Sequence, residues 1–247
     1  MIEQSYSSLS PEVVNSQMPP ILLDSRSMIS DVARALLWYT PFRRFMYYRY
    51  AYNFTPEQLT FFVQCINETR DVRGDIFELG CASGHTTCFL NRHLQTAGIV
   101  KDYYCVDTFG GFTTADVAFE IEKRGKKRGD FTGFRNNSLK RFEYTLKQNS
   151  CRRTFCVQSD VQLYEFQRPI SFCLLDVDLY QPTISALRKV WPVLSPGGII
   201  VVDDCKPANQ FDGAMQAYTE FAESERLPLQ YTLDKLGILK KQDASAR

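Results

Sequence analysis

From about residue 72 the sequence alternates short apolar runs with longer helix-like stretches, and this alternation constrains the fold more than any other feature. The apolar runs are rich in β-branched and aromatic residues, as strands covered on both faces are. They are DIFELG (75–80), DYYCVD (102–107), TFCVQS (154–159), SFCLLDVD (171–178) and GIIVVDD (198–204). Helix-like stretches lie near 85–97, 114–124, 137–149, 181–193 and 211–225. The alternation predicts an α/β fold with a doubly wound, mostly parallel sheet.

Local signals support this reading near the C-terminus. In PTISALRKVWPVL the apolar residues keep helical spacing, and SPGG (195–198) is expected to end that helix and turn the chain into the next strand. The stretch LQYTLDKLGILKK (229–241) is expected to add a final antiparallel pair.

The first 70 residues differ from the rest. They predict an N-terminal helical extension or cap (1–70) ahead of the α/β domain (71–247). LLWYTPFRRFMYYRYAYNF (36–54) interleaves aromatics with arginines. Such a mixture can stack bases or lie on a membrane, but we expect a helical layer over the sheet that covers a substrate or a partner subunit. The basic run EKRGKKRGDF (122–131) is expected to be a solvated loop, or a lid over the active site.

Bulk properties exclude several classes of protein. The 29 Lys and Arg residues nearly balance the 28 Asp and Glu residues, so no nucleic-acid partner is expected. No membrane association is expected either, and the N-terminus lacks the pattern of a secretory signal, which favours a cytoplasmic protein. The eight cysteines contain no CxxC pair and stand beside only two histidines, so we expect buried thiols rather than zinc ligands or disulfides.

Polar residues at the predicted strand ends indicate a ligand site, since ligands of open α/β sheets bind beyond the carboxyl ends of the strands. The first strand leads into ELGCASGHTT (78–87), a glycine turn that enters a helix. Asp107 is placed to accept hydrogen bonds from ribose hydroxyls, and Asp160 from an adenine amine. Because phosphate-binding signals are absent from the sequence, S-adenosylmethionine fits better than NAD or ATP. Its carboxylate would take the helix N-terminus, and its ammonium group would face Glu78.

Two further strands end in paired acids, Asp176 with Asp178 and Asp203 with Asp204. Two carboxylates about 4 Å apart repel by roughly 4 kcal/mol at an effective dielectric of 20. Several together are expected to protonate or to bind a cation, and an all-oxygen set favours Mg²⁺ over Ca²⁺ or Mn²⁺. The alternative is that they are solvated acids that cap the following helices.

FELGCASGHTT, CVDTFGGF, LLDVDLYQPTISAL and LSPGGIIVVDDC together resemble the macrocin O-methyltransferase family over roughly residues 55–225. These enzymes methylate sugar hydroxyls of antibiotics. The resemblance implies a Rossmann-like class I methyltransferase fold, S-adenosylmethionine and Mg²⁺. It makes Asp176, Asp203 and Asp204 metal ligands and Asp178 the general base. It also places Ser138 near the cofactor, together with the turn residues Gly80, Ser83 and Gly84.

The resulting prediction is an Mg²⁺-dependent O-methyltransferase that acts on a hydroxyl group of a small molecule, a sugar or a vicinal diol. A catechol-type O-methyltransferase and a non-catalytic cofactor-binding scaffold are the alternatives. His85, beside the glycine turn, is a competing candidate for the base, although we expect it to line the cofactor loop. A homo-oligomer is left open.

Overall fold

The computed structural model describes residues 25–41, 43, 50, 52–134 and 136–242. It divides into a smaller unit, Met1–Tyr50, and a larger unit, Ala51–Arg247. The smaller unit contains helix α1 (Ser25–Trp38). Much of the aromatic and arginine-rich stretch predicted as a helical layer, residues 42, 44–49 and 51, lies outside the described residues. Among the described residues, no helix combines the length and the apolar character needed to cross a membrane.

A seven-stranded sheet forms the centre of the larger unit, in the order β3-β2-β1-β4-β5-β7-β6. The first five strands are parallel, and β7 pairs with both β5 and β6 in antiparallel fashion. The predicted doubly wound sheet and its antiparallel end are confirmed. The strands are β1 (Asp75–Leu79), β2 (Tyr103–Asp107), β3 (Thr154–Gln158), β4 (Ile170–Leu175), β5 (Leu194–Val202), β6 (Tyr231–Thr232) and β7 (Leu236–Lys240).

Helices cover both faces of the sheet. Neighbouring residues of a strand point to opposite faces, so one strand contributes apolar side chains to both layers of the core. In β4, for example, Cys173 and Leu175 belong to one apolar cluster, whereas Phe172 and Leu174 belong to the other. All six β4 residues are buried. The helices are α2 (Pro56–Glu68), α3 (His85–Thr96), α4 (Thr114–Arg124), α5 (Leu139–Gln148), α6 (Tyr180–Val193) and α7 (Gly213–Ser224), with a short 3₁₀ helix at Arg128–Phe131.

Helix α2 belongs to the larger unit. A capping box starts it: Thr55 accepts a hydrogen bond from the Gln58 backbone, and the Gln58 side chain accepts one from the Thr55 backbone. Phe62 and Ile66 are fully buried in the same apolar cluster as β4 residues. The structural division at Ala51 therefore lies ahead of the predicted boundary at residue 70, since α2 helps to build the core.

Three local predictions need correction. Strand β4 ends at Leu175, short of the expected residue 178, so the acids of DVD follow the strand. Strand β5 begins at Leu194, so SPGG lies within its assigned range, opposite an irregularity in the β4 register. The basic run is less free than expected, because Arg124 and Lys126 both pair with Asp212, at 2.6 and 2.7 Å.

Candidate active site

A cavity of about 290 Å³ opens at the carboxyl ends of β1, β2, β3, β4 and β5. Strands β2 and β3 lie to one side of β1 and strands β4 and β5 to the other, so this is where the winding direction of the sheet reverses. Ligands of doubly wound sheets bind at such a switch point. The residues that line it and bear on the predictions are Gly80, Asp107, Asp160, Asp176, Asp178, Asp203 and Asp204.

The glycine turn after β1 is held from beneath by Asp107. One carboxylate oxygen, Oδ2, accepts hydrogen bonds from the backbone N–H groups of Cys81 (2.7 Å) and Ala82 (2.9 Å). The other, Oδ1, accepts one from the N–H of Phe109 (2.7 Å). A carboxylate offers about four acceptor sites, so one remains for a ligand. Asp107 therefore shapes the turn in addition to lining the cavity.

Gly80 brings the turn against the acidic strand end. Its φ is +85°, and a Cβ built there would lie 1.8 Å from the carbonyl oxygen of Asp176. The N–H of Asp176 also donates to the Leu79 carbonyl oxygen at 2.8 Å. A residue with a side chain cannot occupy position 80 without moving the Asp176 backbone. The glycine turn and the acids are thus in direct backbone contact.

Glu78 lies inside the protein rather than at the cavity wall. It is 2% exposed, and its Oε2 accepts hydrogen bonds from the hydroxyls of Thr87 (2.6 Å) and Tyr103 (2.8 Å). Burial raises the pKa of Glu78 to about 7. The carboxylate therefore ties β1 to β2 and α3 below the glycine turn.

Ser83, Gly84 and Ser138 are not among the residues that line the cavity, although Ala82, before Ser83, is. Gly84 caps α3 in a left-handed conformation, and a Cβ there would lie 2.9 Å from the ring of Phe142. Ser138 caps α5, and its hydroxyl accepts a hydrogen bond from the Arg141 N–H at 3.4 Å. Its neighbour Asn137 does line the cavity. His85 is exposed at the start of α3.

Asp160 shares its surroundings with Asp116, which the sequence reading missed. The backbone N–H of Gln162 donates to Asp160 Oδ1 at 2.8 Å, and the Gln162 side-chain amide donates to Asp116 Oδ1 at 3.0 Å. Thr113 donates to the other Asp116 oxygen at 2.6 Å. Burial raises the pKa of Asp116. In the sequence, Thr113 and Asp116 form an N-cap pattern, which indicates the start of a helix and does not point to a ligand site.

Four carboxylates meet where β4 and β5 end. The register pairs Leu175 with Val202, so the following residues, Asp176 and Asp203, come side by side. Oxygens of Asp176, Asp178 and Asp204 all lie within 4.8 Å of one another. We call Asp176, Asp178, Asp203 and Asp204 the acidic cluster.

Burial and mutual repulsion shift three members of the acidic cluster, Asp176, Asp178 and Asp203, toward their protonated forms. Burial, together with the Asp203 carboxylate, raises the pKa of Asp176 well above its usual range. Burial and the Asp204 carboxylate do the same to the pKa of Asp178. Burial also raises the pKa of Asp203, to about 6. Bringing a cation to the acidic cluster would relieve this repulsion.

Lys235, which the sequence reading missed, is a partner cation of the acidic cluster. Nζ of Lys235 lies 2.6 Å from Asp203 Oδ2 and 3.7 Å from Asp204 Oδ1. The Asn209 amide donates to Asp204 Oδ1 at 3.1 Å. Within the described part of the chain, Asp203 Oδ1 is buried without a hydrogen-bond partner. The neighbouring residues in DKLG form no motif that would identify Lys235. Lys235 lies near the acidic cluster because β7, which follows it, pairs with β5.

The donor set fits a hard divalent cation. Every ligand atom it offers is a carboxylate oxygen, as Mg²⁺ prefers. The unpartnered Oδ1 of Asp203 is a buried acceptor in need of a positive partner. Both observations agree with a metal site at the acidic cluster.

Three aromatic rings form another part of the cavity wall, which we call the aromatic wall. The Phe112 ring packs against those of Phe134 and Phe211, with centroid distances of 5.6 and 5.9 Å, and all three residues line the cavity. They come from different loops, so no single sequence motif marks them. The cavity therefore has apolar as well as acidic lining residues.

Comparison with known proteins agrees with this arrangement. The model of the macrocin-O-methyltransferase (TylF) family matches residues 51–239. The structure of the O-methyltransferase NovP is similar with a TM-score of 0.63 at 16% identity, over 75% of this chain and 80% of that one. The calicheamicin methyltransferase CalS11 gives a TM-score of 0.60 at 18% identity, over 88% and 93%. Apo CalS11, described as a TDP-rhamnose 3'-O-methyltransferase, gives 0.57 at 17% identity, over 88% and 95%. No curated protein matches the sequence.

Proposed function

The chain belongs to the macrocin-O-methyltransferase (TylF) family, and from that premise we propose that it methylates a hydroxyl group of a sugar in antibiotic biosynthesis, with Mg²⁺ at the acidic cluster. As a family member it is an S-adenosylmethionine-dependent O-methyltransferase; the sugar acceptor and the metal are the proposal. One observation carries the proposal: the glycine turn and the acidic cluster open on the same cavity.

The cofactor is proposed to lie over the glycine turn. Gly80 lets it approach the backbone, and the remaining acceptor site of Asp107 suits one ribose hydroxyl. Asp160, at the end of the neighbouring strand, is proposed to accept from the adenine amine. Ser83 and Ser138 are proposed to contribute at the edge of the site, and Glu78 to support the turn from below.

Asp176, Asp203 and Asp204 are the residues proposed to hold the metal. Asp203 contributes the buried oxygen that has no hydrogen-bond partner among the described residues. Bound Mg²⁺ would supply Lewis acidity that lowers the pKa of a sugar hydroxyl. The three carboxylates would hold the metal beside the glycine turn, so that the acceptor hydroxyl would lie close to the cofactor, where orientation favours a direct transfer.

Asp178 is proposed as the general base. It lies in the turn after β4 with φ of +64°. It is therefore outside the strand register that aligns Asp176 with Asp203. The pKa of a sugar hydroxyl lies far above that of a carboxyl group, so a carboxylate alone is a weak base toward it. A metal bound beside Asp178 would lower the pKa of the hydroxyl, so that a carboxylate could accept its proton.

The aromatic wall favours a second candidate, a catechol-type O-methyltransferase. Phe112, Phe134 and Phe211 offer flat apolar faces on which an aromatic diol could stack. The same rings can pack against the C–H face of a sugar. We place the sugar first because the family methylates sugars.

Both acceptors can be tested directly. The protein is incubated with S-adenosylmethionine and Mg²⁺, once with TDP-rhamnose and once with catechol, and methylated products are measured by mass spectrometry. We expect methylated sugar, loss of product with EDTA and recovery with added Mg²⁺. Methylation of catechol alone would favour the second candidate, and turnover that survives EDTA would contradict the metal proposal.

A further inference from the structure

Lys235 is a cation built into the wall of the acidic cluster. It stands in the turn between β6 and β7, and the Cys205 N–H donates to its carbonyl oxygen at 2.7 Å. This bond anchors the lysine backbone beside the residues that follow β5. Its side chain is 22% exposed, although lysines generally lie at the surface.

The ammonium group is held on two sides. It lies 2.6 Å from Asp203 Oδ2 and 3.7 Å from Asp204 Oδ1, and 4.9 Å from the centre of the Phe54 ring. A cation over an aromatic face is attracted by the ring quadrupole. Lys235 is thus fixed at the acidic cluster by charge and by packing.

Asp203 has little other compensation for its burial. Its side chain is 4% exposed, and its second oxygen has no hydrogen-bond partner in the described part of the chain. Removing the sole cation from a buried ion pair leaves an uncompensated charge, which is strongly unfavourable. In the metal-free protein, Lys235 therefore provides the charge that keeps Asp203 in place.

We propose that Lys235 is an internal counter-cation that competes with the divalent metal for Asp203 and so sets the metal affinity of the acidic cluster. This rests on the proposed function, in which Asp203 is a metal ligand. A metal that takes Asp203 must displace the ammonium group or bind beside it, and either event opposes binding. Lys235 acts through Asp203 and is a positioning residue.

Mn²⁺ binding provides the test, since it needs neither cofactor nor acceptor. Its dissociation constant is measured by calorimetry on the full chain and on Lys235→Met and Lys235→Gln, which remove the charge. We expect at least tenfold tighter binding in both, or about 1.4 kcal/mol. Lys235→Arg keeps the charge and should keep the affinity within threefold.

A matched control removes a nearby charge outside the site. Lys206 pairs with Asp234 at 2.6 Å, and both side chains are exposed. Lys206→Met should leave the Mn²⁺ affinity unchanged. Lys235→Gln keeps a hydrogen-bond donor beside Asp203, so the test survives if Lys235→Met fails to fold.

Thermal unfolding separates the proposed role from a merely structural one. Without metal the melting temperature of Lys235→Gln should fall below that of the unaltered chain, and saturating Mn²⁺ should close most of the gap. Equal losses with and without metal, unchanged affinity in both neutral variants, or no Mn²⁺ binding in any of these proteins would overturn the inference. The absence of methyl transfer with tighter Mn²⁺ binding in the neutral variants would count against the proposed function alone.

Discussion

Gly80→Ala tests the contact between the glycine turn and the acidic cluster. At position 80 the backbone has φ of +85°, and the new Cβ would lie 1.8 Å from the Asp176 carbonyl oxygen and 2.6 Å from its carbonyl carbon. Both atoms belong to backbone, so no side chain can rotate away. The turn or the start of DVD has to move.

The expected cost has two parts. A residue with a side chain in the left-handed region costs roughly 1–2 kcal/mol, and overpacking a closely packed site costs about 1–3 kcal/mol more. Gly98→Ala isolates the first part, because Gly98 has φ of +63° and no atom within 4 Å of its added Cβ. We expect a loss of about 2–5 kcal/mol in the free energy of unfolding for Gly80→Ala, against about 1–2 kcal/mol for Gly98→Ala.

Urea denaturation measures both losses, and calorimetry measures binding of S-adenosylhomocysteine and of Mn²⁺. Since the displaced atoms include the Asp176 backbone, Gly80→Ala should weaken both ligands, whereas Gly98→Ala should leave both affinities unchanged. If Gly80→Ala costs no more than Gly98→Ala, the two segments are not coupled. If only cofactor binding weakens, the turn moves while the acidic cluster keeps its geometry.

Two further substitutions test individual carboxylates. Asp178→Asn should lower turnover by about 10²–10⁴-fold and leave binding of S-adenosylhomocysteine within about twofold; retained turnover would refute the base assignment. Burial raises the pKa of Glu78 from 4.5 to about 7, so the folded protein keeps a proton that the unfolded chain releases between those values. This contribution to stability is fully present below about pH 4.5 and is lost as the pH rises toward 7, a change of roughly 3 kcal/mol. Glu78→Gln should flatten that part of the pH profile measured by urea denaturation, and an unaltered profile would contradict the buried carboxyl.

Much of the fold could be predicted because helix caps and strand burial depend on residues that are close together in the sequence. Helix α4 has the predicted bounds, 114–124, since Thr113 caps its start and Gly125 ends it with φ of +69°. The strands were visible because β4 and its neighbours are buried on both faces. The sequence placed helix α2 in the N-terminal extension, whereas in the structure it lies in the larger unit, because the amphipathic pattern of a helix does not identify the core that it joins.

The site was predicted in part, for a similar reason. Strand-end acids were recognisable because parallel strands bring their carboxyl ends to one edge. Lys235, Asp116 and Phe211 reach the cavity from a hairpin, a helix and a loop, and only tertiary packing brings them there. Their neighbours in sequence carry no spacing that distinguishes them from surface residues.

The two acids of DVD show how backbone conformation changes a sequence argument. Residues two apart on a strand share a face, so Asp176 and Asp178 would point the same way if β4 continued. The strand ends at Leu175 instead, the Leu179 N–H bonds to the Val177 carbonyl oxygen at 2.7 Å, and Asp178 has φ of +64°.

The second acid of the other pair behaves alike, because Asp204 has φ of +56°. The register aligns the first acids, Asp176 and Asp203, while the left-handed turns redirect the second acids, Asp178 and Asp204, into the same cavity. Left-handed residues with side chains cost of order 1–3 kcal/mol each and persist where the surrounding structure determines them. Two such residues at adjacent strand ends allow one edge of the sheet to present four carboxylates to the cavity.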